Sequence, residues 1–291
     1  MFEQLFSIIS PVIICAIIGY TWAYLGRPYN TEMVTHLVST VGVPCLVFTT
    51  LVNVEVSLDV LGQIAWATLI AMVVTGLVGT MILKMWGKSP SAFLPAMVFP
   101  NTGNMGLPLA LFAFGPEGMA LAVASFTVCI ILQFTVGIAV SAGTTSVQAL
   151  LKVPTIYAMA LALVFKVTDT SVPLWAGNTI ELLSGLTIPL MLITLGISLH
   201  RLKISHFKIS TIIAILRLVM GFVSALILVE LMGFEGVVKG VLILQLTMPV
   251  AVFNFLFAER YKTEPEAVAG AVVLSTLASF ATLPALMWYV L

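Results

Sequence analysis

Charge is almost absent from the long stretches of this chain, and that feature decides which solvent it can fold in. From Gln4 to Gly26 there is no charged side chain, and comparable apolar stretches recur to the C-terminus. Only 8% of residues are charged and 60% are hydrophobic, whereas a water-soluble domain carries about 25% charged residues. In water, a chain of 291 residues would keep a large exposed surface with too few polar groups to cover it. An integral membrane protein is therefore expected. Twelve basic residues balance twelve acidic ones, which leaves no basic surplus for nucleic acid. Cys15, Cys45 and Cys129 each sit inside an apolar run, with no CxxC pair and no histidine at ligand spacing. That argues against a disulfide framework and against zinc. No basic residue precedes the first apolar stretch, so it reads as an uncleaved span, not a signal peptide.

A span needs roughly 20 apolar residues. Ten are expected, at about 5–25, 34–53, 61–83, 91–115, 117–141, 149–167, 174–199, 208–232, 237–258 and 266–290. Nothing remains for a soluble domain. Cytoplasmic loops keep an excess of Lys and Arg. Counted over alternate loops, one side holds nine basic residues, including Arg27, Lys84, Lys152, Arg201 and Arg260, and the other holds only Lys166 and Lys239. The expectation is a multi-pass protein of the inner (plasma) membrane with both termini outside, on the periplasmic face.

Internal symmetry comes next. Ser39 and Pro44 in the second span match Ser184 and Pro189 in the seventh, both displaced by 145. The fourth span carries Pro108, followed by Pro116 and Glu117; the ninth carries Pro249, followed by Pro265 and Glu266. Five spans separate each pair. An odd number turns one copy upside down, which predicts two inverted five-helix repeats, 1–145 and 146–291.

The fourth span contains Pro100-Asn101-Thr102-Gly103-Asn104-Met105-Gly106-Leu107-Pro108. Proline removes a backbone donor and glycine weakens a helix, so the span breaks there. In lipid, a broken helix is tolerated only where the freed backbone is buried in protein or lines a wet cavity. The ninth span repeats the device with Gln245, Thr247, Pro249 and Asn254. Two broken helices bring four half-helix ends near one point: N-termini suit a carboxylate and C-terminal carbonyls suit a cation. Asn101, Asn104, Gln245 and Asn254 can both donate and accept. A polar, uncharged site near the midplane is predicted.

Arg217 lies about nine residues into its span, roughly 13 Å deep at 1.5 Å per residue. A buried Arg is costly in lipid, so its head is expected either to reach the interface or to pair with the carbonyl end of a broken helix. Glu259 and Arg260, after the ninth span, read either as a gate or as a solvated boundary pair. His36, His200 and His206 lie near span ends, which argues against a histidine proton relay within the membrane.

On the segments Pro100 to Pro108, Gln245 to Pro249, Phe257 to Tyr261 and Pro265-Glu266, the sequence resembles the auxin efflux carrier family. That family includes the plant PIN-formed carriers and bacterial carriers of malonate and malate, within the superfamily of bile acid sodium symporters. The resemblance covers essentially the whole chain. It implies a bile acid symporter-like fold: an all-α integral membrane protein of ten transmembrane helices in two inverted repeats. Spans 1, 2, 6 and 7 would form a scaffold domain, and spans 3–5 and 8–10 a transport domain in which broken helices 4 and 9 cross at Pro108 and Pro249, beside Gly103 and Gly106. It also implies a homodimer and a site for organic anions. The anion-contacting Asn of the plant carriers matches Asn101, with Thr102, Asn104, Ser184, Gln245 and Asn254 around it. A second plant Asn falls at Gly185 here, beside Ser184, a departure that sets auxin itself apart. Residues 142–148 are all that corresponds to the long plant loop between the repeats.

Function is then expected to be secondary transport of small mono- or dicarboxylates, such as malonate, malate or auxin-like acids, by elevator-type alternating access. Three alternatives stand beside it: a sodium symporter of another organic anion, a carrier with no coupling ion, and an anion channel. No Asp or Glu lies mid-span, so a buried carboxylate proton carrier of the usual kind is absent. Likeness to the bile acid symporters would offer Thr102, Ser125, Thr127 and Thr247 as sodium ligands. No cofactor is expected beyond Na+ or H+ as a coupling ion, and no enzyme activity, because the mid-span positions hold no placed base, acid or metal site.

Overall fold

The computed structural model describes residues 2–143 and 151–291. The expected repeat boundary at 145 and 146 lies outside the described residues, as do most of the short connector at 142–148 and the expected start of the sixth span. The described chain is all-helical. In order, the helices are α1 Phe2–Tyr24, α2 Thr31–Asn53, α3 Leu58–Met85, α4 Pro90–Val98, α5 Thr102–Ala142, α6 Pro154–Val167, α7 Leu174–Arg201, α8 Phe207–Met232, α9 Gly236–Thr247, α10 Val252–Tyr261 and α11 Pro265–Val290. Seven of them are long and apolar enough to cross a membrane, which bears out an all-α membrane protein.

Local chemistry starts and turns these helices. Asn30 accepts the N–H of Met33 at 2.9 Å and opens α2, and Ser57 accepts that of Val60 at 3.3 Å and opens α3; both satisfy donors that a helix start leaves free. Within α5, Gly115 takes φ 66° ahead of Pro116, a left-handed conformation that glycine adopts without steric cost. The helix therefore turns between the expected fourth and fifth spans. Three π-helical turns interrupt the regular helix, Val38–Gly42, Thr102–Gly106 and Gln133–Gly137; such turns widen the helix locally and cluster at functional sites.

α1 lies along α7, while α2 packs on α6 and on the first half of α7. A second group forms from α3 against α5, α8 against α9 and α11, and α9 against α5. The α1–α7 contact is held close by two glycines: a Cβ at Gly196 would run into the carbonyl of Ala16, and one at Gly19 into that of Ile193. Because backbone cannot yield as a side-chain tip can, Gly196→Val is expected to cost on the order of 1–3 kcal/mol through overpacking. It should melt below the wild-type protein in detergent, whereas Gly62→Ala, whose Cβ would meet nothing within 4 Å, should melt with it.

Candidate functional site

Between α4 and α5, and again between α9 and α10, the chain leaves the helix and the two links cross. Pro100 and Val250 form an isolated antiparallel bridge. The Asn101 N–H donates to the carbonyl of Pro249 at 2.7 Å, and that of Ala251 to the carbonyl of Phe99 at 3.2 Å. These paired links satisfy backbone groups that broken helices would otherwise leave bare in an apolar interior. Pro249 lies in its link, where the family resemblance places the crossing. The first break falls at Pro100, within the stretch expected to break, but Pro108, where the resemblance places the crossing, sits inside α5 just after the π-turn Thr102–Gly106.

The crossing forms one wall of a cavity of about 630 Å³. Asn101, Thr102, Gly103 and Asn104 line it at the start of α5, and Ala251, Val252 and Phe253 at the start of α10. Both half-helices therefore start at this space, with the free N–H groups that a helix start leaves. Asn101 is 4% exposed, and its Nδ2 has no hydrogen-bond partner among the described residues. Across the cavity, α7 presents Met191, Thr194, Ser198 and Arg201, three or four residues apart and hence on one face. Parts of all three π-turns reach the lining. Exposed Arg201, Lys152, His36 and Glu259 also line it; Arg201 donates to Thr31 Oγ1 at 2.5 Å and to the Tyr29 carbonyl at 2.9 Å.

The opposite ends of the broken helices meet a different partner. Arg217 is 1% exposed, the one buried charged side chain among the described residues. Its guanidinium donates to the carbonyls of Met97 (3.0 Å) and Val98 (2.8 Å) at the end of α4, to Met248 (3.3 Å) just past α9, and to Leu246 within its last turn. Each helix C-terminus carries about half a negative charge, so one guanidinium balances the pair. Of the two placements expected for Arg217, the carbonyl ends are the one observed. With those ends neutralised, the cavity faces two helix N-termini worth together about one positive charge. That complements one carboxylate.

The other expected site residues scatter. Asn254 is buried: its Nδ2 donates to the Phe99 carbonyl at 3.0 Å, and its Oδ1 accepts from Gln133 Nε2 at 3.0 Å. Gln245 is fully buried behind Gly106, where a Cβ would collide with its amide, and neither amide atom has a partner among the described residues. Ser184 donates to the Glu181 carbonyl at 2.8 Å and does not line the cavity. Arg260 is exposed, its guanidinium carbon 5.8 Å from the centre of the Tyr261 ring. Ser125 accepts from Thr68 Oγ1 at 2.9 Å, and Thr127 donates to the Val123 carbonyl at 2.8 Å. Gln133, which the sequence reading passed over, lines the cavity and holds Asn254. An amide in the middle of an apolar span was the signal for it.

A family model described as membrane transport protein matches residues 140–289, more than half of the chain. The chain belongs to this family of membrane transport proteins. The resemblance to the auxin efflux carriers is thereby borne out. An uncharacterized transporter of Methanothermobacter thermautotrophicus is 25% identical, over 96% of this chain and 95% of its own length. Another, of Methanocaldococcus jannaschii, is 24% identical over 97% of each. This membrane transport protein thus resembles proteins named as transporters along nearly its whole length, which supports transport as its function.

Proposed function

We infer that the protein is a secondary carrier of small organic anions, moving mono- or dicarboxylates by alternating access around the crossing of the two broken helices. One observation carries this: two half-helix N-termini and Asn101, whose buried Nδ2 has no partner among the described residues, line one cavity, while the opposite helix ends are neutralised by Arg217. Such a site favours a carboxylate over a cation. On this reading the ten spans form two inverted repeats of five. The group of α1, α2, α6 and α7 is the scaffold, and the remaining helices are the unit that moves against it as an elevator. A homodimer in the inner membrane with outward termini completes the proposal, and Arg201 and Lys152, which line the cavity, then stand on its cytoplasmic side.

The test is uptake of labelled malonate, malate and indole acetate into proteoliposomes, with counterflow. Saturable flux of one acid, accelerated by unlabelled acid on the far side, is expected; flux rising linearly with concentration and without counterflow would make the protein a channel. Gln133→Leu supplies a finer check. It leaves Asn254 Oδ1 without its donor at a cost of about 1–3 kcal/mol, so the apparent KM should rise several-fold with the maximal rate little changed. An unaltered KM would release the Gln133–Asn254 pair from substrate binding.

A further inference from the structure

The carbonyl ends of broken spans are where a coupling cation is ordinarily seated, and in this chain those ends are already taken. Carbonyls at the ends of both α4 and α9 converge on the Arg217 guanidinium, which uses several of its five N–H donors there. No carboxylate shares the space, since every Asp and Glu is exposed. Of the hydroxyls that the family resemblance offers to sodium, two are engaged elsewhere. Ser125 and Thr127 stand two residues apart on one helix and so face different ways, and each is engaged with a neighbour on its own side, Thr68 and Val123. Thr247 keeps an unpartnered oxygen. It directly follows Leu246, whose carbonyl Arg217 holds; a metal ion there would meet the guanidinium charge in a buried, weakly screened place.

We propose that Arg217 is a resident cation standing where a dissociable coupling ion would otherwise bind, so that anion flux requires no inorganic cation. The inference rests on the carrier reading and goes beyond it by assigning the coupling. A recruited ion would make anion binding wait on cation binding. A covalently attached one keeps the helix ends neutral in every state, so the anion meets the same two positive N-termini whatever salt is present.

The experiment uses wild-type protein in proteoliposomes at clamped potential, with Na+ replaced on both sides by K+, Li+ or N-methylglucamine. Initial rates for the acid carried are expected to agree within about twofold, and a tenfold fall on removing Na+ would overturn the proposal. A second arm needs no substrate. An ion that binds only the folded state raises its melting temperature, so wild-type protein should melt alike in Na+ and in N-methylglucamine. A rise specific to Na+ would overturn the proposal even if none of the acids were carried, an outcome that would itself count only against the carrier reading. Arg217→Ala should melt lower and be restored in part by low concentrations of guanidinium, but not by urea, its neutral relative. Equal response to both would make Arg217 a space-filler, not a cation. Should that variant fail to fold, the two wild-type arms still decide.

Discussion

Arg217→Met is expected to be the most damaging single substitution in the molecule. Methionine fills much of the space but donates nothing, leaving the carbonyls of Met97, Val98, Leu246 and Met248 without their shared donor and two helix ends without their countercharge. Removing one partner of a buried charged arrangement costs on the order of 3–5 kcal/mol. That is a large fraction of a marginal stability. The melting temperature of detergent-purified protein should fall by many degrees, and transport should be lost with it. Arg217→Lys should recover part of the stability and less of the transport. A lysine supplies the charge but only a point donor, whereas the planar fork of Arg can reach both broken helices at once. If the methionine variant melted within a degree of the wild type, the crossing would be held by the antiparallel link alone.

Asn101→Ala should act in the opposite way, on transport and not on stability. The backbone N–H of Asn101 keeps its bond to the Pro249 carbonyl whatever the side chain, so the crossing should persist and the melting temperature should hold. What goes is a buried donor with no partner among the described residues. A hydrogen bond to a charged group contributes about 1.5–3 kcal/mol, so flux at low substrate should drop roughly tenfold to a hundredfold. Asn101→Asp preserves size while setting a negative charge before the anion, and should transport no better. Normal flux in either variant would move the anion to another part of the cavity.

Both breaks were legible in the sequence because their cause is local. Proline and glycine act within a turn of where they stand, so Pro100 through Pro108 and Pro249 announced broken spans without any knowledge of neighbours. Which proline makes the crossing was not legible. Pro108 stays helical because the π-turn before it absorbs the irregularity, a choice set by packing. Arg217 showed the same limit: its depth was readable, but its acceptors lie 29 to 120 positions away in the chain. Gln133 stood out as an amide in an apolar span, but its place in the cavity wall and its partner Asn254, 121 positions away, are set by packing. Ser184 drew notice through a repeat match with Ser39, but a matched position in a repeat need not face the same cavity.

The size of the cavity bears on how acids are told apart. At about 630 Å³ it is many times larger than a single water, whose share of the liquid is about 30 Å³. On the reading proposed above, a small carboxylate enters with most of its hydration shell intact and sheds water only at the Asn101 end. Dehydration of one carboxylate face is common to every acid of this kind. Preference among them must therefore come from the remainder of the molecule, according to whether it keeps its water or gives it up against the Phe126 and Phe134 side of the wall.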